Sequence, residues 1–163
     1  MYLLDTTVVA ELRRAKARRT SEGLVSWAAG TDRTQLFLSI ISLLELQSGA
    51  ARLARRDKAA GAAIGAWIAD QILPAFAGRL LAVDAPIVRR RARVPIADDR
   101  DGLLAATALE HGLTLVTRET AAFKGAKLKL LDPWDFDEDD AEDDWQQAGR
   151  SGPLWLKNLF VRG

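Results

Sequence analysis

Residues 101–119, DGLLAATALEHGLTLVTRE, read as one helix running straight into one buried strand. Gly102–His111 is rich in Ala and Leu at helical spacing and stops at Gly112, a residue suited to the left-handed turn that ends a helix. Leu113–Thr117 (LTLVT) then forms a short apolar run of strand length. The same alternation holds on either side. Strands are predicted at Tyr2–Leu4, Gln35–Ser39, Leu80–Val83 and Leu128–Leu131. Helices are predicted at Val8–Ala17, at Glu22–Ala29 after the cap-like pair Thr20/Ser21, from Ser42 to about Asp57, over Ala60–Phe76 up to Gly78, and from Pro86 to Arg93. Continuously apolar strands between helices indicate a parallel sheet covered on both faces, an α/β domain of three layers, α/β/α.

In such a sheet the working residues gather beyond the carboxyl ends of the strands. Asp5 follows the first strand. Glu45 lies in the first turn of the helix after the second strand. Asp101 stands at the start of the helix before the fourth, and Glu119 comes two residues after Thr117. Each alone has a plain structural reading: Asp5 or Asp101 as a cap, Glu119 as a loop residue. Glu45 is more telling, because it interrupts the apolar segment ISLLEL. Four acids converging on one edge repel one another, with Arg118 the nearest cation in sequence. A hard divalent ion answers that repulsion, and oxygen-only ligation favours Mg²⁺ or Mn²⁺ over zinc. The chemistry implied is metal-assisted hydrolysis of a phosphodiester. Asp98 and Asp99 in PIADDRD compete with Asp101 for its place; the register of the helix against Leu103 and Leu104 favours Asp101.

These segments, in this order, resemble a known family. LLDTTVVAELRR, SIISLLELQSGAARL, DGLLAATALEHGLTLVTRE and LLDPW are similar to the successive motifs of bacterial PIN-domain toxins of the VapC kind. The resemblance spans about 1–134. It implies a PIN-like fold and a toxin that is a Mg²⁺- or Mn²⁺-dependent endoribonuclease acting on tRNA-like or other structured RNA. It also implies homodimerisation and inhibition by a cognate antitoxin. By position, Asp5, Glu45, Asp101 and Glu119 would be catalytic metal ligands, with Glu119 where the family more often has Asp or Asn. Thr6, Thr7 and Thr117 would be supporting hydroxyls. The substitution at Glu119 keeps open an alternative, a non-catalytic PIN-like module that binds RNA or protein.

The bulk composition agrees. The 163 residues suit one nuclease domain over 1–134 followed by an appendage, 135–163. The absence of cysteine removes disulfides, thiolate zinc sites and cysteine nucleophiles, and suits a reducing cytoplasm. No apolar run approaches the roughly 18 residues of a membrane span, and MYLLDTTVV lacks the features of a signal peptide, so a cytoplasmic protein is expected. Residues 1–134 carry 20 Lys/Arg against 14 Asp/Glu, whereas 135–163 carry 3 against 8, all eight acids lying between Asp135 and Asp144. The basic residues cluster at Arg13, Arg14, Lys16, Arg18 and Arg19, and again at Arg89, Arg90, Arg91 and Arg93. Either cluster is a solvated face or a grip on the RNA backbone, with Arg13, Arg14 and Arg118 the candidates near the site. The acidic stretch and the apolar residues after it, from Trp145 to Val161, suggest a tail that folds back on the basic body.

Rival enzymes fit less well. A haloacid-dehalogenase-like phosphatase needs a second Asp where Thr7 stands. A receiver domain needs adjacent acids and a later strand-end Lys, and a Rossmann domain needs a glycine-rich first turn. The single histidine, His111, ends a helix and leaves no Ser–His–Asp set.

Overall fold

Strand β1 (Tyr2–Leu4) lies at the centre of a five-stranded sheet, between β2 (Leu36–Ser39) and β4 (Thr114–Val116). Beyond these come β3 (Leu80–Leu81) and β5 (Leu130–Leu131), giving the order β3-β2-β1-β4-β5, all pairs parallel. The structure, a computed structural model, describes residues 1–14 and 21–136.

Alternate side chains of these strands serve opposite layers, as a period of two requires. Leu4, Leu36, Leu38 and Val116 pack with Val8, Val9, Leu12, Leu24, Trp27, Leu46, Trp67, Ile68 and Ile72 on one face. These come from α1 (Thr6–Arg14), α2 (Glu22–Gly30), α3 (Ile40–Ala54), α4 (Lys58–Trp67) and the π-helical turn Ile68–Ile72 that leads into α5 (Leu73–Ala75). Leu3 and Leu115 point the other way, against Ile87 of α6 (Ala85–Arg91), Phe123 of α8 (Thr120–Phe123) and the alanine face of α7 (Asp99–Glu110). Ala105, Ala106 and Ala108 are fully buried beside Leu104, so most of the buried face of α7 is made of small side chains. The chain is thus the three-layer α/β/α domain with a parallel sheet that its apolar strands predict. Each fully buried Leu, Ile or Val contributes about 1.5–3 kcal/mol to holding those layers together.

Several boundaries differ from the sequence reading, and caps explain most of them. Helix α7 begins at Asp99, not Gly102, because Asp98 is the N-cap; its carboxylate accepts from the N–H groups of Arg100 (2.8 Å) and Asp101 (3.0 Å). Asp101 is therefore inside the first turn. Helix α3 begins at Ile40, where Ser39 Oγ accepts from Ile41 N–H at 3.1 Å, so Glu45 falls in the second turn and not the first. Asp57 caps α4 and starts it earlier than Ala60. Ser21 makes no capping bond; its hydroxyl donates to the carbonyl of Trp134 at 3.3 Å. Helix α1 starts at Thr6, and α6 stops at Arg91. Gly112 does end α7, with φ at +63°.

The last described segment, Pro133–Asp135, is a 3₁₀ turn seated on α2. A Cβ at Gly23 would meet the carbonyl oxygens of Phe136 and Trp134 at 2.8 and 2.9 Å, so only glycine permits that approach. The acidic and apolar stretches expected to fold back lie, from residue 137, outside the described residues, as do Lys16, Arg18 and Arg19. Among the described residues no helix is long and apolar enough to cross a membrane.

Candidate functional site

The strand order reverses at β1. The chain runs outward through β2 and β3, then returns to place β4 on the other side of β1. A crevice opens at such a switch point, beyond the carboxyl ends of β1 and β4. The register pairs Leu4 with Leu38 and with Val116, so Asp5, Ser39 and Thr117 come level at this edge.

Asp5 is 9% exposed, a carboxylate nearly sealed in the crevice. Two hydroxyls hold it. Thr117 Oγ1 donates to Oδ2 at 2.7 Å from the end of β4, and Thr7 Oγ1 donates to the same oxygen at 3.0 Å from the first turn of α1. Thr117 Oγ1 also accepts from the N–H of Glu119 at 3.1 Å, which ties the Glu119 backbone to the crevice while its side chain stays exposed. Thr6 turns the other way, its hydroxyl donating to Glu45 Oε2. Glu45 Oε1 lies 3.8 Å from Arg100 Nη1. Thr6, Thr7 and Thr117, expected as supporting hydroxyls, thus each donate to Asp5 or Glu45.

Asp101 reports the electrostatics of the whole edge. Its carboxyl is pushed above the ordinary carboxylate range, first by burial and then by the negative charges of Asp98, Asp5, Glu45 and Glu119. The charges of Asp5, Glu45 and Glu119 thus reach Asp101. Asp98 behaves oppositely: the N–H groups of Asp101 and Arg100 hold it below the usual range. Asp99 pairs outward with Arg91 at 3.0 Å. Of the three aspartates in PIADDRD, one caps, one faces solvent, and Asp101 faces the acids. Among the described residues no three His, Cys, Asp or Glu side chains are drawn together in a metal-holding group. The contacts of Asp5 and Glu45 are taken up by Thr6, Thr7, Thr117 and Arg100.

The basic candidates fare differently. Arg118 stacks on the Trp134 ring, 5.5 Å from its centre, and Arg100, not singled out in the sequence, is the cation beside Glu45. Its only signal was position, as the one base inside PIADDRD. Arg13 lies over the Trp67 ring at 5.5 Å, held below its usual pKa by burial and by Arg14, and Arg14 pairs with Glu11 at 3.3 Å. Both sit about 10 Å along the α1 axis from Thr6. In the second cluster Arg90 is bound to Glu110 and Arg91 to Asp99, so only Arg89 and Arg93 remain as candidates for a solvated or phosphate-facing row.

A parallel α/β/α domain with acids and hydroxyls at its switch point defines a class, and comparison with known proteins gives it a name. The PIN domain family model matches residues 2–128. The chain belongs to the PIN-domain family, among its toxins of the VapC kind. It is 34% identical over 143 residues to toxin FitB of Neisseria gonorrhoeae, covering 82% of this chain and 99% of that protein. It is 31% identical over 143 residues to VapC ribonuclease Y4jK of Sinorhizobium fredii, covering 83% and 99%. The crystal structure of FitAcB from Neisseria gonorrhoeae superposes with a TM-score of 0.75 at 31% identity, over 83% of this chain and 100% of that one.

Proposed function

We propose that this chain is a Mg²⁺- or Mn²⁺-dependent endoribonuclease that hydrolyses phosphodiester bonds of tRNA-like or other structured RNA, as the toxin of a toxin–antitoxin pair. The observation that supports this reading is the pair of carboxylates Asp5 and Glu45 held by threonine hydroxyls at the switch point, with the Asp101 carboxyl raised by burial and by the charges of Asp98, Asp5, Glu45 and Glu119. The donor set is oxygen only, and it is short of positive charge, with Arg100 the one cation paired to it among the described residues. Such a set fits a hard divalent ion. Asp5, Glu45 and Asp101 would hold it, with Glu119 reaching in from the exposed side. When bound, the ion supplies charge neutralisation at the phosphoryl oxygens and a more acidic water.

The chain's own residues do the rest. Thr117 and Thr7 fix the Asp5 carboxylate by bonding one oxygen, so its orientation is set before substrate arrives. Thr6 does the same for Glu45 from the adjacent position on α1. Arg100, exposed at the rim, is placed to meet an RNA phosphate. A protein antitoxin and a second copy of the chain are the expected partners; the toxin FitB relative supports the first.

One observation favours the non-catalytic alternative: the Arg100–Glu45 contact gives the acids an internal counter-ion. Cleavage of total RNA with Mg²⁺, with Mn²⁺ and with a chelator separates the two readings. Wild type should cleave only with the divalent ion. Asp5→Asn should lose at least about a thousandfold, since ion-assisted charge stabilisation is worth several kcal/mol and each tenfold is 1.36 kcal/mol. Undiminished cleavage by folded Asp5→Asn, or cleavage in chelator, rules the proposal out. RNA binding without cleavage would install the alternative.

A further inference from the structure

Arg91, the last residue of α6, turns back across the segment 92–98 that leads to α7. Its Nη1 donates to the carbonyl of Val94 at 3.1 Å. Its Nη2 reaches the carbonyls of Ile96 at 2.8 Å and Asp98 at 3.4 Å, and Asp99 Oδ1 at 3.0 Å. The side chain is 19% exposed. The guanidinium also lies flat against α7 where Gly102 leaves room: a Cβ there would fall 2.1 Å from Nε and 2.3 Å from Cζ. Nε is buried with no hydrogen-bond partner. A buried N–H is left so only where its surroundings are over-determined, and here three carbonyls on one fork prevent the group from moving.

We infer that Arg91 is a positioning residue for the acidic edge. It pins the 94–98 segment to the first turn of α7, so that Asp98 caps that turn and Asp101 is delivered to Asp5 and Glu45. Gly102 is the complementary half of the device, since any side chain there would expel the guanidinium. Lysine cannot substitute, because a single ammonium cannot span three carbonyls in a plane. The consequence for cation binding rests on the function proposed above; the pinning of α7 does not.

The full-length chain tests both. Arg91→Met should accelerate amide exchange at Arg100 and Asp101 about tenfold, the worth of one capping interaction, while the amides of 105–108 keep their protection. Its Mn²⁺ affinity should fall about tenfold to a hundredfold, the usual effect of removing a group that orients ligands. RNA cleavage should lose kcat with KM unchanged. Arg91→Lys should fall between wild type and Arg91→Met, and Asp99→Asn should match wild type throughout. Should Arg91→Met fail to fold, Arg91→Lys and Gly102→Ala are judged by the same readouts. Unchanged exchange at Arg100 and Asp101 overturns the inference. So does loss of protection spread evenly along α7, which would make Arg91 a stability residue only, and so does altered exchange with wild-type Mn²⁺ affinity. A wild type that binds no Mn²⁺ defeats the proposed nuclease instead, and exchange alone then decides the role of Arg91.

Discussion

The two ends of the sheet treat charge in opposite ways. At the amino ends of β2 and β3, Arg33 and Arg79 form a clasp on backbone oxygen. Arg33 donates to the carbonyls of Ala75 and Pro74, and Arg79 to those of Arg33, Leu36 and Ala75, with its guanidinium over the Phe76 ring. Each cation there binds carbonyls beside the strands and at the end of α5. At the carboxyl ends, acids face acids, and hydroxyls orient them without neutralising them. One end is matched and serves the fold. The other keeps a carboxyl raised by burial and by neighbouring acids, which is the balance the proposed divalent ion would relieve.

That contrast can be broken at either end. The largest effect should come from the clasp. Arg79→Met takes the side-chain donor from the carbonyls of Arg33 and Leu36, leaving Ala75 to Arg33, and should remove about 3 kcal/mol of stability, lowering Tm by about 6–12 °C for a chain of this size. Cleavage per folded molecule should stay at the wild-type level; a matching loss of activity would mean that the two ends are coupled. Next is Thr117→Val, which takes a donor from buried Asp5. It should lower stability by about 2 kcal/mol and Mn²⁺ affinity by about tenfold, with Thr117→Ser close to wild type in calorimetry and Mn²⁺ titration.

The smallest effect has the opposite sign. The Asp101 carboxyl keeps its proton to higher pH in the fold than in the unfolded chain. Its ionisation therefore costs stability as pH rises through the raised value, and below the ordinary carboxylate range both states are protonated and the cost vanishes. Asp101→Asn should thus raise the Tm of metal-free protein near neutral pH by no more than about 2 °C, because a half-exposed group is partly screened. The gain should disappear on acidification below about pH 4. A destabilised Asp101→Asn at neutral pH would show that the acids are not in conflict.

The strands were legible because Tyr2–Leu4, Leu36–Ser39 and Thr114–Val116 are apolar on both faces, which a sheet covered on both sides demands. Asp5, Glu45, Asp101 and Glu119 stand out in the sequence by their expected place after strands or at helix starts. Their relations do not. Three aspartates within four residues are alike in type; helix register favours Asp101, while the cap made by Asp98 and the Asp99–Arg91 pair appear only in the structure. Helix starts slipped for the same reason: Ser39 and Asp98 cap through side chains whose direction periodicity does not register. Arg100 went unread, and Arg91 reads in sequence only as one of a basic cluster, because an arginine on a basic helix face and one folded inward onto carbonyls look alike there.

The alanine face of α7 carries a lesson for anyone redesigning this protein. Ala105, Ala106 and Ala108 keep most of the buried face of α7 small, and the same helix carries Asp101 in its first turn. A larger residue at any of these three positions would lift the helix and carry the carboxylate with it. Attempts to raise thermostability by enlarging the interior therefore belong in the opposite layer, where Leu24, Ile68 and Ile72 pack far along the chain from any site acid.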